Sequence, residues 1–265
     1  VGYRRMVLEL GGNDPIIVMD DADLEEAAML AISGSYKNSG QRCTAVKRIL
    51  VQDNIADAFV EKLLAKTQVW KFGNPADPDV DMGTVIDPQA ASLFETRVNE
   101  AVAQGAKLLC GNHREGALYA PTLLDHVLPH MTLVREETFG PIIIINRVAT
   151  MKEAIELSNA SRYGLGANVW SKRQGKKIAS QLHCGMVAIN STFSFAAISS
   201  VPFGGVKDSG YGRVHGPEGL LEYTYPRTVV RTRFNIPLKF LSFKRRPKDD
   251  KLVVKATKTL KGRLG

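Results

Sequence analysis

One cysteine in this chain stands where covalent chemistry could be done. Cys43 ends the small polar stretch Asn38-Ser39-Gly40-Gln41-Arg42-Cys43, with Thr44 after it. The thiolate is the reactive form, and an adjacent cation or free backbone N–H groups at a turn lower its pKa. Arg42 is the adjacent cation, so an acidified thiol is expected. The competing reading is a buried structural cysteine, the commonest fate of a free thiol. A second reactive group, Glu9, closes an apolar run 34 residues earlier, just before Gly11-Gly12. A carboxylate at a strand end beside two glycines can be brought to a water without steric clash. A thiol nucleophile plus a general base is the minimum set for acyl transfer followed by hydrolysis.

These groups need a frame, and the pattern of the chain describes one. Arg4 to Leu10 reads as a buried strand and Pro15 to Met19 as a second. Asp20, Asp21 and Asp23 offer N-caps for a helix from Leu24 to about Lys37, with Leu24, Ala27, Ala28 and Ala31 on one face. A strand over 45–52 follows the cysteine, and Asp53 caps a helix to about Val69. Pro88 opens a helix to Gln104 that Gly105 closes. Further strands are expected at Lys107–Cys110, within Tyr119–Val127, and at Ile142–Val148, Leu165–Trp170 and Met186–Asn190. Helices are expected at Met151–Asn159, Gln174–Leu182 and Pro217–Leu221, and a last strand at Thr228–Phe234. Four successive isoleucines in Ile142–Val148 fit a sheet covered on both faces. The alternation from 15 to 190 indicates an α/β domain with a largely parallel sheet flanked by helices. Neither GxGxxG nor GxxxxGK[ST] occurs.

Composition narrows the classes. The chain has 265 residues, 44% hydrophobic and 23% charged, ordinary for a globular protein. Cys43, Cys110 and Cys184 are odd in number and far apart, which argues against a disulfide framework and for a reducing, cytoplasmic compartment. Cys110 and Cys184 have no partner motif and read as structural. No histidine spacing suits a metal; His126 and His130 are separated by the helix-breaking Pro129. No apolar run approaches the ~18–20 residues of a membrane span. The net charge is +8, but residues 231–265 hold 12 Lys+Arg against 2 Asp+Glu, a net of +10. The remainder holds 23 against 25, a net of −2. The basicity belongs to a tail, and the body is a poor nucleic-acid binder.

Two further motifs complete a set: Glu137-Thr138-Phe139-Gly140-Pro141, and Pro202-Phe203-Gly204-Gly205 with Lys207, Ser209 and Gly210. With Glu9-Leu10-Gly11-Gly12 and Gly40-Gln41-Arg42-Cys43-Thr44, in this order and at these separations, they resemble the aldehyde dehydrogenase superfamily over residues 1 to about 232. The resemblance implies the catalytic domain of that fold with a truncated dinucleotide-binding domain, an NAD or NADP cofactor, a small-molecule aldehyde substrate and no metal. It implies that Cys43 attacks the aldehyde, that Glu9 activates water to hydrolyse the thioester, and that Glu137, Phe139 and the Leu10 carbonyl face the nicotinamide end of the cofactor. Phe203 and the loop carrying Phe193, Phe195, Ile198 and Ser199 would line the aldehyde funnel. Relatives that pass the acyl group to coenzyme A typically lack the glutamate, so Glu9 favours free acid. The motif around Arg42 resembles the branch acting on phosphorylated or phosphonylated aldehydes, such as non-phosphorylating glyceraldehyde-3-phosphate and phosphonoacetaldehyde dehydrogenases. There Arg42 would approach an anionic group. The apolar loop 193–201 is instead more like semialdehyde or aliphatic aldehyde members.

The implied division is 1–10, end of a truncated cofactor domain; 11–208, catalytic domain; 209–222, a return segment; 223–234, a strand pairing subunits of a homo-oligomer; 235–265, a basic tail. About 250 family residues that precede this region are not in the chain, so the isolated chain is expected to be inactive. A non-catalytic binding or assembly module is the alternative. In the tail, Ile236, Leu238, Phe240, Leu241 and Phe243 alternate with lysines and arginines. A solvated extension and a peripheral membrane anchor are both open readings.

Overall fold

A strand points alternate residues to opposite faces, so a run such as Ile142–Val148 must be covered on both. The computed structural model describes residues 4–192, 194–231, 233 and 247–261. In it this run is a strand with six of seven residues buried. Seven strands form the main sheet: β1 (Pro15–Val18), β2 (Arg48–Gln52), β3 (Lys107–Cys110), β4 (Thr122–Asp125), β5 (Ile142–Val148), β6 (Gly166–Trp170) and β7 (Met186–Ile189). Their spatial order is β7-β6-β1-β2-β5-β4-β3. Neighbours are parallel except β3, which joins β4 antiparallel at one edge.

The helices are α1 (Leu24–Tyr36), α2 (Asp53–Gln68), α3 (Pro88–Ala103), α4 (Met151–Asn159), α5 (Gly175–Ala179), α6 (Gly216–Glu222) and α7 (Pro247–Lys261). Ile16, Val18, Ile143 and Ile145 pack with Ala27, Ala31, Phe59 and Leu63 of α1 and α2. The intervening Ile17 and Leu50, with Val169, meet Ala154 and Ile155 of α4 and Ile178 of α5 on the other face. Phe94 and Val98 of α3 cover Leu124, Ile142 and Ile144. Each fully buried side chain of this size contributes roughly 1.5–3 kcal/mol. Asp23 caps α1 by accepting from the Glu25 and Glu26 amides, and Asp87 caps α3 through the Ala90 amide.

Several elements differ from expectation: the strand expected over 45–52 begins at Arg48, and the helix expected at Gln174–Leu182 spans only Gly175–Ala179. Asp53 is the first residue of α2 rather than its cap. Only Leu8–Glu9 of the Arg4–Leu10 run is a strand, and it is exposed. Among the described residues its one ladder partner is Gly210–Tyr211, antiparallel. A two-residue ribbon paired on one side cannot cover its apolar groups, so Met6 and Leu10 remain 62% and 49% exposed. Residues 228–231 of the last expected strand are exposed and form no ladder among the described residues.

The chain divides into two units, Val1–Tyr225 and Pro226–Gly265. The first holds the sheet. Of the second, residues 226–231, 233 and α7 are described. The apolar tail residues from Ile236 to Phe243 and the funnel residue Phe193 lie outside the described residues. Among the described residues, no helix is long and apolar enough to cross a membrane.

Candidate active site

The thiol is presented by a turn with an unusual backbone. After α1 the chain enters a short 3-10 segment, Lys37–Gly40, in which Asn38, Ser39 and Gly40 have φ of 56°, 54° and 71°. Side chains rarely adopt this left-handed region. Ser39 is held there by its hydroxyl, which donates to the carbonyls of Gly83 and Thr84 at 3.0 and 3.2 Å. Gly40 is required by space as well: a Cβ there would lie 2.2 Å from the Gly140 carbonyl oxygen. The turn is thereby seated on the Glu137–Pro141 motif. Gly40→Ala is expected to destabilise the chain by about 2 kcal/mol or more. Urea unfolding measures this, and an unchanged midpoint would contradict the close approach.

Arg42 and Cys43 attract each other, which favours the thiolate, but burial of the thiol outweighs that attraction. The Arg42 Nη2 donates to the Gly34 carbonyl at 2.6 Å and pins the turn to α1. Burial lowers the guanidinium pKa. The Cys43 thiol is pushed up, not down: burial is the largest cause, and the Asp14 carboxylate adds to it. Lys47 is the cation that pulls the thiol down, helped by the Thr44 backbone N–H, while Glu9 opposes them.

Lys47 lies four residues after Cys43, on the approach to β2. Its Nζ donates to the carbonyls of Cys43 and Arg42 at 2.9 and 3.1 Å. It pairs with Glu137 Oε1 at 3.0 Å, its side chain only 5% exposed. The same Glu137 oxygen accepts from the Gly12 amide at 2.9 Å. A Cβ on Gly11 would lie 2.2 Å from Glu137 Oε2, so the glycine pair makes room for this carboxylate. The ring of Phe139 lies 5.8 Å from Lys47 Nζ and is largely open to solvent. Glu137 and Phe139 therefore both approach Lys47 next to the cysteine turn. Glu137 is partly exposed and its second oxygen is not committed to Lys47, which fits a hydroxyl-bearing ligand.

On its other side Cys43 packs against an apolar wall. Leu165, Met186, Ala188 and Phe195 form a buried cluster against which Cys43 and Phe203 lie. Phe203 is fixed by two backbone hydrogen bonds to Val214, at 2.7 and 2.8 Å. A depression of about 270 Å³ opens beside Met186, Phe195, Ile198 and Pro202. Ser199 is exposed and does not line it, its carbonyl accepting from the Gly216 amide. Phe195 and Phe203 thus join the thiol, and Ser199 does not.

Glu9 sits opposite Gly210 in the two-residue ribbon. One of its oxygens lies 2.9 Å from where a Cβ of Gly204 would stand, so Gly204 gives the carboxylate its room. Partial burial raises the Glu9 pKa, and Arg213 and then His215 counter it. Arg213 is no plain surface residue, since its Nη1 donates to the carbonyls of Gly205 and Gly212. Leu10 is exposed and its amide donates to the Ser209 carbonyl at 3.2 Å.

Asp14 was invisible as a site residue in the sequence. It is fully buried beside Lys47 and Arg48, and Oδ1 accepts from the Gly166 amide at 3.0 Å. Burial raises its pKa to about 7. An unfolded chain would release that proton near pH 4, so native stability is expected to fall as pH rises from about 4 to 7. Asp14→Asn keeps an acceptor for Gly166 and removes the titration. A decline on the order of 3 kcal/mol over that interval should vanish in the variant. Parallel stability curves for the two proteins would refute this. A lysine amid Ala45, Val46 and Ile49 was the one sequence signal for this buried charge cluster, because a buried cation requires a carboxylate.

The architecture has counterparts among known proteins. The family model for the aldehyde dehydrogenase family matches residues 2–229, and the chain belongs to that family. It is 40% identical over 226 residues to a vanillin dehydrogenase of Pseudomonas fluorescens, covering 84% of this chain and 47% of that protein. It is 39% identical over 231 residues to a sulfoacetaldehyde dehydrogenase of Neptuniibacter caesariensis, covering 86% and 50%. An NADP-dependent glyceraldehyde-3-phosphate dehydrogenase from Bacillus halodurans, complexed with NADP, superposes with a TM-score of 0.80 at 43% identity, over 83% of this chain and 46% of that one. A betaine aldehyde dehydrogenase from Staphylococcus aureus in complex with NAD+ gives 0.78 at 39%, over 82% and 44%. The chain spans about half the length of the curated relatives it matches.

Proposed function

We propose that this chain carries the catalytic half of an NAD(P)-dependent aldehyde dehydrogenase that releases a free carboxylic acid. The observation that carries the reading is the position of Cys43, between the apolar wall of Phe195 and Phe203 and the Lys47–Glu137 pair. Cys43 Sγ adds to the aldehyde carbon and gives a thiohemiacetal. Glu137 and Phe139, with the Leu10 carbonyl, would hold a nicotinamide dinucleotide, which would supply the hydride acceptor needed to take the thiohemiacetal on Cys43 to a thioester. Glu9 then takes a proton from water, the resulting hydroxide adds to the thioester carbonyl, and the carboxylic acid departs as the thiol is restored. The acyl chain lies against Phe195, Phe203 and Met186. Residues 11–208 are read as the catalytic domain, 1–10 as the end of the cofactor domain and 209–222 as the segment returning to it.

A panel of phosphorylated, carboxylated and aliphatic aldehydes, with NAD and NADP, tests this on the enzyme containing this chain. Dehydrogenation of any class supports the reading and ranks the substrates. No turnover with every aldehyde and both cofactors would favour a non-catalytic module. The exposure of Val229 and Val230 and the lack of an internal ladder at 228–231 support strand pairing with a second subunit in a homo-oligomer. The three free thiols suit a reducing compartment such as the cytoplasm. For α7, helical periodicity puts Val253 and Ala256 on one side and Lys251, Lys255 and Lys258 on the other. This supports peripheral contact with anionic lipid. Vesicle co-sedimentation of the chain with and without anionic lipid decides that contact.

A further inference from the structure

We infer that Lys47 is a positioning residue that electrostatically links the thiol of Cys43 to the carboxylate of Glu137. The inference rests on the reading of Cys43 as the nucleophile. An ammonium has three N–H donors, and here three acceptors meet them: the Cys43 carbonyl at 2.9 Å, the Arg42 carbonyl at 3.1 Å and Glu137 Oε1 at 3.0 Å. The backbone of Lys47 is fixed independently of its side chain. Its amide donates to the Asp14 carbonyl, and its carbonyl accepts from the Ile144 amide. The stem therefore leaves a rigid point between β1 and β5, and the ammonium cannot follow a displaced turn. Its near-complete burial makes the pairing strong and the loss of a partner costly.

The linkage has a directional consequence. Charged groups facing Cys43 are Lys47 from its own segment, Asp14 from the start of β1, Glu9 from the exposed ribbon and the neighbouring Arg42. Those facing Lys47 include Glu137 and Asp14. Lys47 is the cation that favours the thiolate, and Glu137 offsets part of its charge. Removing the lysine should disfavour the thiolate, and removing the charge of Glu137 should favour it. Structural damage alone would move both variants the same way.

The test is the rate of Cys43 alkylation by iodoacetamide across pH, read peptide by peptide by mass spectrometry without cofactor. In Lys47→Met the profile should move to higher pH, with the rate at neutral pH lower by about 3–10-fold. In Glu137→Gln it should move to lower pH, with a rise of about 2–5-fold at neutral pH. Lys47→Arg should keep the wild-type profile. Shifts of the same sign, or no shift in either variant, would overturn the linkage. Cys110 and Cys184 report folding, since burial pushes both thiols up and both should label slowly in the folded chain. If Lys47→Met exposes them, Glu137→Gln decides alone, and an unmoved profile refutes the proposal. Failure of wild-type Cys43 to label ahead of Cys110 and Cys184 would count instead against the nucleophile reading.

Discussion

Replacing Cys43 with serine is expected to lower acylation of the chain by p-nitrophenyl acetate by about a thousandfold or more. An activated ester carries its own leaving group, so it transfers an acetyl group to a nucleophile without any hydride acceptor. The reaction isolates the thiol from the cofactor. A serine hydroxyl at this position is a far weaker nucleophile at neutral pH than a thiol, and a thousandfold corresponds to about 4 kcal/mol of barrier. In the wild-type chain, a burst of p-nitrophenolate should accompany one acetyl group on the peptide containing Cys43. The thiol is partly buried and pushed above its ordinary range. The burst rate should therefore keep rising with pH past the point where an acidified cysteine would level off. A flat profile from pH 6 upward would show an acidified thiol after all. Acetyl groups spread evenly over Cys43, Cys110 and Cys184 would remove Cys43 from the mechanism.

Replacing Glu9 with glutamine should leave that burst within about twofold and slow hydrolysis of the acetyl-enzyme by about 10²–10⁴-fold, the range a positioned general base supplies. The acyl-enzyme would then accumulate and be visible as a stable adduct. Partial burial holds the Glu9 pKa above 4.5, the ordinary value. Hydrolysis by the wild-type chain should accordingly fall off at a higher pH than an ordinary glutamate would give. Arg213 lowers the same pKa, so Arg213→Met should move the fall-off to still higher pH. Wild-type hydrolysis by the glutamine variant would mean that another group, or water alone, does this step.

Most of the frame was legible in the chain itself. The runs Lys107–Cys110, Ile142–Val148 and Met151–Asn159 appear with the bounds that pattern and caps indicated. Long apolar β-branched runs and capped amphipathic helices are decided locally, and a parallel sheet covered on both faces amplifies the pattern. Arg4–Leu10 misled for the opposite reason. An apolar run indicates that burial would be favourable, but burial needs a covering surface, and the described residues supply one two-residue partner. Arg42 showed less than the outcome because adjacency in sequence says nothing of burial: its guanidinium bonds Gly34 while it attracts the thiolate, and burial still pushes the thiol up.

The sequence by itself determined which groups the proposed reaction can use: one thiol in a glycine turn, a carboxylate before two glycines, and the Glu137–Pro141 and Pro202–Gly205 motifs in order. It also determined the sheet, through its hydrophobic pattern. Only the tertiary structure decided the electrostatics of the thiol. Cys43 gains its effective cation from Lys47 and its opposing charge from Asp14, which the strand order brings together by setting β1 beside β2. Charges act through space and burial amplifies them. Asp14, 29 residues before Cys43 in the chain, and Lys47, four after it, therefore tune the turn that opens this site.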